Sequence, residues 1–252
     1  MDIPSWWPSK KPYIIGDCLE GMKKIPDNTI DLIITSPPYN NGASGLWGHL
    51  KPKKYGKYSD DMSQEEYCGF LQSFLTEGMR IVKKHIFLNV LMSTGNKEAL
   101  IELIFHNRKS LKDILYWIKT NPPAQIQSGI LSPGVEWILI FSKETPNDRC
   151  FRGIGKPGNW IPNNIITPVA KSVDGHGAIF PLSIPTWLIK TFSFEGDIVL
   201  DPFLGSGTTL LACRETGHLG LGFEINPEYE PIIRKRYMAN VMNIEGFEQK
   251  SV

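Results

Sequence analysis

The sequence lacks several features that would each point to a distinct class of protein. It has only four cysteines, Cys18, Cys68, Cys150 and Cys213, and no CxxC pair, so neither a disulfide framework nor a zinc site is expected. The five histidines show no metal-binding spacing, and we expect no metal. No apolar run approaches the roughly 18 residues of a membrane-spanning helix, and the first residues contain no apolar core of a secretory signal. These absences favour a cytoplasmic protein with reduced thiols and no membrane contact.

Neither sign of charge dominates the chain. Its 252 residues include 27 Lys and Arg against 26 Asp and Glu, which gives a formal net charge of +1. This balance excludes a polycation that binds nucleic acid by bulk charge alone, but it leaves room for a local basic surface. The length suffices for one large domain, or for one domain with an insertion.

Strand and helix patterns alternate at both ends of the chain. Strands are predicted over 13–16, 31–35, 85–92, 114–119, 135–142, 197–201 and 218–225. Helices are predicted over 18–25, from Ser63 onwards, and over 97–106, 181–193, 206–216 and 227–241. The strands over 114–119 and 135–142 are expected to be antiparallel neighbours. Alternation of this kind predicts a mostly parallel α/β sheet with helices on both faces.

A glycine-rich loop follows the predicted strand 197–201 and reads DPFLGSGTT from Asp201 to Thr209. Gly205 and Gly207 allow a tight turn and close approach of a ligand, and the next helix offers free N–H groups to an anion. Glu224 ends the next strand, where a carboxylate can accept hydrogen bonds from ribose hydroxyls. A dinucleotide would need a third glycine where Leu210 stands, and a nucleotide P-loop would need a lysine after Gly207. S-adenosylmethionine fits the loop best, and a glycine turn that serves only packing is the alternative.

A proline-rich segment, TSPPYN, spans Thr35 to Asn40 at the end of another predicted strand. Ligands in open α/β sheets collect at such strand ends. Pro37 and Pro38 fix the backbone and remove two N–H donors, so nearby carbonyls face outward as acceptors. Ser36 adds a hydroxyl acceptor, and the flat ring of Tyr39 can stack on a base. These groups suit an exocyclic amino group whose nitrogen must attack an electrophilic methyl. The alternative is a plain strand terminator.

The two motifs together resemble the amino-directed DNA methyltransferases that modify cytosine N4 or adenine N6. The catalytic motif precedes the cofactor loop, as in the circularly permuted beta group. The resemblance implies a Rossmann-like sheet with a small recognition insertion over 143–175, between two parts of one catalytic domain, 1–142 and 176–252. It implies S-adenosylmethionine as cofactor and double-stranded DNA as partner, with a cognate restriction endonuclease as a further partner and a monomer or weak homodimer as the assembly.

The resemblance also assigns residues to roles. The catalytic residues would be Ser36, Pro37, Pro38 and Tyr39. The cofactor would be bound by Asp17, Cys18, Thr35, Phe180, Asp201, Pro202, Phe203, Gly205, Ser206, Gly207, Thr208, Thr209 and Glu224. Asp17 and Cys18 would flank the adenine, and Phe180 belongs to the block 176–181 (HGAIFP), in which Gly177 replaces the family's proline. Serine at position 36 favours cytosine N4 over adenine N6.

DNA contacts are expected in the two segments without periodicity, 41–62 and 143–175. The expected DNA-binding residues are Asn40, Lys51, Lys53, Lys54, Lys57, Arg152 and Trp160. The lysines alternate with tyrosines directly after the catalytic motif, whereas a solvated loop is the alternative. Six other basic residues are expected to be charges at helix ends or facing solvent: Arg80, Lys83, Lys84, Arg234, Lys235 and Arg236.

Three other classes compete with this interpretation. A cytosine-C5 methyltransferase needs a nucleophilic cysteine after proline, and none of the four cysteines follows one. RNA and protein-glutamine methyltransferases of similar design carry NPPY, which Asn121–Ala124 (NPPA) matches only in part. A DNA-binding module without enzymatic activity would not bind the cofactor.

Overall fold

The structure is a computed structural model that describes residues 2–40, 61–122, 133–148, 150–151, 162–170 and 180–238. Most of the two segments expected to contact DNA lies outside these residues. The expectations for Lys51, Lys53, Lys54, Lys57, Arg152 and Trp160 therefore stay predictions. No helix in the described part of the chain is long and apolar enough to cross a membrane.

Eight strands within the described residues form one sheet. They are β1 (Tyr13–Ile15), β2 (Ile30–Thr35), β3 (Val82–Val90), β4 (Leu111–Lys119), β5 (Val135–Ser142), β6 (Asn164–Thr167), β7 (Ile198–Asp201) and β8 (Leu219–Glu224). Their order across the sheet is β1-β8-β7-β2-β3-β5-β4-β6. The predicted α/β sheet, mostly parallel, is confirmed.

Strand β5 is the one described strand that runs against its neighbours. It pairs antiparallel with β3 and with β4, and the sequence predicts the antiparallel pairing of β4 and β5. The other neighbouring strands pair in parallel. The carboxyl ends of the parallel strands therefore meet at one edge of the sheet, together with the first residues of β5. Ligand sites of open α/β sheets form at this edge.

Helices cover both faces of the sheet. They are α1 (Cys18–Met22), α2 (Gln64–Ile81), α3 (Lys97–His106), α4 (Ser183–Phe192) and α5 (Thr208–Glu215). Side chains of β2 alternate between the two cores: Ile33 packs with α1, α2 and α3, whereas Leu32 and Ile34 pack with α4 and α5. A strand that is buried on both faces has apolar residues in succession instead of alternating apolar and polar ones, and the sequence of β2 shows this pattern.

The helix ends follow the sequence signals closely. Ser63 caps α2 in a complete capping box, in which Ser63 Oγ accepts from Glu66 N and the Glu66 carboxylate accepts from Ser63 N. Asn226 accepts a hydrogen bond from Glu228 N before the last helical segment. That segment begins as a 3-10 turn over Pro227–Tyr229 and continues as helix over 230–238, and the rest of the predicted helix lies outside the described residues.

Strand β6 is an element that the sequence patterns miss. Its four residues pair in parallel with the end of β4, from Tyr116↔Asn164 to Lys119↔Thr167. They fall inside the segment 143–175 that is expected to form the recognition insertion. Part of this segment thus extends the sheet, and its assignment to DNA recognition stays a prediction.

Candidate active site

The proline-rich segment leaves the sheet directly after β2, at the edge where the strand ends meet. Thr35 is fully buried and Pro37 is buried, whereas Ser36, Pro38 and Tyr39 are half-buried. Among the described residues, none donates a hydrogen bond to the Pro37 carbonyl oxygen. This carbonyl and the Ser36 hydroxyl are therefore two acceptors close together at the ligand-binding edge.

Two buried side chains fix the backbone after these acceptors. Tyr67 Oη of α2 donates to the Pro38 carbonyl at 2.6 Å. Asn96 Nδ2 donates to the Tyr39 carbonyl at 2.7 Å and to the Leu91 carbonyl at 2.9 Å. Because each proline also fixes its own φ angle, both the ring constraints and these hydrogen bonds keep the backbone of the segment rigid. Preorganised acceptors of this kind favour catalysis by positioning.

The hydroxyl groups of the segment join a buried polar network. Ser36 Oγ lies 2.9 Å from Tyr39 Oη, and Tyr39 Oη donates to Glu136 Oε2 at 2.7 Å. Asn89 Nδ2 donates to both Tyr39 Oη and Glu136 Oε2, and Lys119 Nζ lies 2.8 Å from Glu136 Oε1. Sequence reasoning missed Asn89, Lys119 and Glu136. The available signal was a polar or charged residue close to one terminus of an apolar strand: Asn89 and Lys119 near the C-terminal ends of β3 and β4, and Glu136 near the start of β5.

Asn40 does not lie where a DNA-contacting side chain is expected. It is 4% exposed, and its amide donates to the carbonyls of Met62 and Gly95 while it accepts from Met62 N. Its backbone has φ at +53°, a conformation that asparagine adopts more readily than most residues. The expectation of a DNA contact through this side chain is therefore replaced by a structural role, in which Asn40 joins three chain segments.

The glycine loop lies between β7 and α5, next to the end of β8. Gly205 and Gly207 have φ angles of +54° and +81°, which explains the need for glycine at both positions. Gly205 N donates to Glu224 Oε2 at 2.7 Å, and Asn226 N donates to Glu224 Oε1 at 2.8 Å. The Glu224 carboxylate thereby fixes the turn and keeps further lone pairs for a ligand.

Asp201 connects the glycine loop to the end of β2. Its Oδ1 accepts from Thr35 Oγ1 at 2.6 Å, and its Oδ2 accepts from Thr209 Oγ1 at 2.6 Å. Phe203 N donates to the same carboxylate at 3.1 Å. Because β7 and β2 are neighbours in the sheet, this one buried side chain sets the position of the proline-rich segment relative to the loop.

Burial changes the acidity of both carboxylic acids. It raises the pKa of Asp201 to about 6, although hydrogen bonds from Thr209, Thr35 and Phe203 act in the opposite direction. It raises the pKa of Glu224 to about 7, against hydrogen bonds from Asn226 and Gly205 and with a smaller contribution from Asp201. Perturbed carboxylates in a ligand-binding edge are typical of functional sites.

Arg236 of the last helical segment reaches the glycine loop, so its guanidinium is hydrogen-bonded there and does not face solvent. Its Nη1 donates to the Ser206 carbonyl at 2.9 Å, to Ser206 Oγ, and to Thr208 Oγ1 at 3.1 Å. Both loop residues are 3% exposed. Their hydroxyl groups therefore bind this guanidinium, which connects the last helical segment to the glycine loop.

The structure also describes the remaining residues that are expected at the cofactor. Asp17 Oδ1 accepts from Leu19 N at 2.8 Å and caps α1, and Gly16 N donates to the Glu224 carbonyl at 2.8 Å, so the segment lies beside β8. Cys18 is 5% exposed, and burial raises the pKa of its thiol. Pro202 is buried and Phe203 packs against Phe70 and Phe74 of α2. Phe180 packs against the core below α4. Their cofactor contacts stay predictions.

The chemistry of the donor set fits S-adenosylmethionine. The Glu224 carboxylate at the end of β8 can accept hydrogen bonds from the ribose hydroxyls of the cofactor. Backbone N–H groups of the positive-φ glycine turn can bind the carboxylate of its amino-acid part. In the described part of the chain, no group of three or more His, Cys, Asp or Glu side chains could hold a metal ion.

Comparison with known proteins agrees with this arrangement. The type II methyltransferase M.HpaI of Haemophilus parainfluenzae is 25% identical over 254 residues, which cover 94% of this chain and 77% of that protein. The DNA adenine methyltransferase YhdJ of Escherichia coli K12 is 27% identical over 247 residues, covering 87% and 80%.

Solved structures share the fold. PvuII DNA methyltransferase, described as cytosine-N4-specific, superposes with a TM-score of 0.69 at 20% identity, covering 89% of this chain and 85% of that one. The complex of M1.HpyAVI with S-adenosylmethionine superposes with a TM-score of 0.62 at 22% identity, covering 89% and 98%. Residues 30–235 match the N6 and N4 methyltransferase family described as DNA methylase. The chain therefore belongs to this family of amino-directed DNA methylases, and it has their Rossmann-like fold.

Proposed function

We propose that this protein transfers a methyl group from S-adenosylmethionine to the N4 amino group of a flipped-out cytosine within a specific sequence of double-stranded DNA. The supporting observation is the pair of acceptors, Ser36 Oγ and the Pro37 carbonyl, which the bond between Thr35 and Asp201 connects to the glycine loop. A methyl donor at the loop and an amino group at the acceptors would therefore meet at one sheet edge.

Each part of the site has one task in this reaction. Bound S-adenosylmethionine supplies an electrophilic methyl group on a sulfonium. Glu224 binds the ribose, and the turn at Gly205 and Gly207 binds the carboxylate. Ser36 and the Pro37 carbonyl accept hydrogen bonds from the amino group, which turns the nitrogen lone pair toward the methyl. The reaction needs no covalent bond between enzyme and base, because the amino nitrogen itself attacks the methyl group.

The base has to leave the duplex before it reaches these acceptors. Flipping a nucleotide costs a few kcal/mol, which contacts to phosphates would offset. We assign these contacts to Lys51, Lys53, Lys54 and Lys57, with Arg152 and Trp160 on the recognition insertion. The exposed part of the Tyr39 ring would stack on the extruded base, while its hydroxyl stays bound to Glu136.

Adenine N6 is the second candidate target. The chemistry of the acceptors is the same for both bases, because each presents an exocyclic NH₂ group. Serine before the proline pair and the fold shared with the cytosine-N4-specific PvuII enzyme favour cytosine. Similarity to the E. coli adenine methyltransferase favours adenine.

Incubation of unmethylated plasmid DNA with the protein and S-adenosylmethionine, followed by nucleoside mass spectrometry, tests the proposal. We expect N4-methylcytosine from the wild type and from Ser73→Ala, a control at an exposed serine on α2. Ser36→Ala should slow methylation strongly, because the amino group loses one of its two acceptors. Wild-type methylation rates in Ser36→Ala would contradict the assignment of the catalytic segment.

A further inference from the structure

A buried ion pair lies directly behind the catalytic segment and connects to it. Glu136 and Lys119 are 5% and 9% exposed, with Glu136 Oε1 and Lys119 Nζ 2.8 Å apart. Charged side chains this deep are costly unless they are paired and hydrogen-bonded. They meet because β4 ends and antiparallel β5 begins at the same edge of the sheet. Their position next to Tyr39 indicates a task in the reaction.

The direction of each hydrogen bond follows from the number of hydrogens on Tyr39. Its single hydroxyl hydrogen goes to Glu136 Oε2, so Tyr39 Oη has to accept in its other bonds. Asn89 Nδ2 is one donor to Tyr39 Oη, and the Ser36 hydroxyl, 2.9 Å away, is the other. Ser36 Oγ therefore keeps only lone pairs for the substrate. This hydroxyl becomes a pure acceptor because a buried carboxylate sets the direction of the hydrogen bonds.

Asn89 supports this direction. It is 1% exposed, and its Nδ2 donates to both Tyr39 Oη and Glu136 Oε2, whereas its Oδ1 has no hydrogen-bond partner within the described structure. The hydrogen bonds that position the Asn89 amide are therefore the two that its Nδ2 donates. Burial and the charge of Glu136 raise the pKa of Tyr39 well above its usual range, so the phenol keeps its proton between turnovers.

Given the proposed function, we propose that the line Ser36–Tyr39–Glu136 takes up the surplus proton of the methylated amino group. The nitrogen forms its bond to the methyl as the methyl–sulfur bond breaks and its electron pair stays on sulfur. The nitrogen then carries a positive charge and gives a proton to Ser36 Oγ. The Ser36 hydroxyl proton moves to Tyr39 Oη, and the Tyr39 proton moves to Glu136 Oε2. The N–H electron pair returns to the base, which becomes neutral, and Glu136 becomes a neutral acid.

The negative charge of Glu136 also acts before the proton moves. Positive charge develops on the amino nitrogen during methyl transfer, and a hydrogen-bonded line to a carboxylate stabilises it. Glu136 does not touch the base, and it acts through Tyr39 and Ser36. Among the described residues, the titratable groups that face it are Lys119 on β4 and Tyr39 after β2, with Tyr67 of α2 next to Tyr39. When product has left, the same line returns the proton to solvent.

Glu136→Gln tests the proposal, since glutamine keeps an acceptor for Tyr39 but neither the charge nor the ability to take up a proton. The double variant Lys119→Met/Glu136→Gln removes the lysine that would otherwise stay unpaired, and Glu98→Gln is the control at an exposed position of α3. Single-turnover methyl transfer is followed at saturating cofactor and DNA at about pH 8, where Glu224 is mostly ionised. Calorimetry gives the affinities for cofactor and DNA.

We expect the transfer rate of the double variant to fall about 100-fold, the scale of general acid–base catalysis, with both affinities unchanged. Difference infrared spectra of a single turnover should show a protonated carboxyl band in the wild type that the variant lacks. Tyr39→Phe should lower the rate similarly, and Glu136→Gln should add little to it.

An unchanged rate in the glutamine variants, or a loss of rate that is accompanied by equally weakened binding of cofactor and DNA, would overturn the proton path. An infrared spectrum without the carboxyl band would do the same. Should the glutamine variants fail to fold, Tyr39→Phe and the wild-type infrared spectrum still decide the question. A wild-type protein that methylates no DNA would instead refute the proposed function.

Discussion

Cofactor affinity should depend on pH through Glu224. Burial raises the pKa of this carboxyl to about 7 in the unliganded protein, so a large part of it is protonated near neutrality. Ribose hydroxyls donate to the ionised form, and binding therefore lowers the pKa. Affinity is then fully present above about pH 7 and is lost as the pH falls through this value.

The size of the effect follows from the pKa. Only the ionised fraction binds well, so affinity for S-adenosylmethionine should fall about tenfold, or about 1.4 kcal/mol, between about pH 8 and about pH 6. Asp201, with a pKa of about 6, contributes to the pH dependence of cofactor affinity only near the lower end of this pH range. Calorimetric titration across this range measures the change directly.

Two variants separate Glu224 from its surroundings. Glu224→Gln should bind more weakly at pH 8 and lose most of the pH dependence, because the amide does not titrate. Glu228→Gln, an exposed position on the following 3-10 turn, should keep the wild-type profile. A pH-independent affinity in the wild type, or an undiminished slope in Glu224→Gln, would refute the assignment of Glu224 to the ribose.

Three further substitutions test the supports of the site. Thr35→Val should lower the free energy of unfolding in urea by about 1.5–3 kcal/mol at pH 8, since it removes one donor from the buried Asp201 carboxylate; an unchanged midpoint would contradict this. Arg236→Met should weaken cofactor binding by up to about 100-fold in calorimetry, because the loop loses three hydrogen bonds worth about 1 kcal/mol each. Asn40→Ala should cost about 1–3 kcal/mol of stability. Full stability with weakened DNA binding would instead restore Asn40 as a DNA contact.

The sequence predicts the parts of this fold that periodicity and capping determine. Strand β2 is a continuous apolar run because both of its faces are covered, and the capping box at Ser63 begins α2 as expected. The glycine loop is equally readable, since Gly205 and Gly207 adopt positive φ angles that other residues avoid. These features are local, and a short stretch of sequence is enough to specify them.

The missed features depend on long-range pairing. Strand β6 has four residues and is recognised only by its pairing with β4. Glu136 enters the site because β5 runs antiparallel, which brings its first residues to the edge where β2 and β3 end. Arg236 reaches Ser206 across 30 positions of the chain. Asn40 looks like part of a surface motif, and only its buried partners show that it joins three segments.

The central claim is that an exocyclic amino group receives the methyl at Ser36 and Pro37. The most direct measurement is nucleoside mass spectrometry of duplex DNA after reaction with S-adenosylmethionine carrying a labelled methyl group. The account predicts label in N4-methylcytosine, with strongly reduced incorporation by Ser36→Ala. Label in 5-methylcytosine, or equal incorporation by wild type and Ser36→Ala, would contradict it.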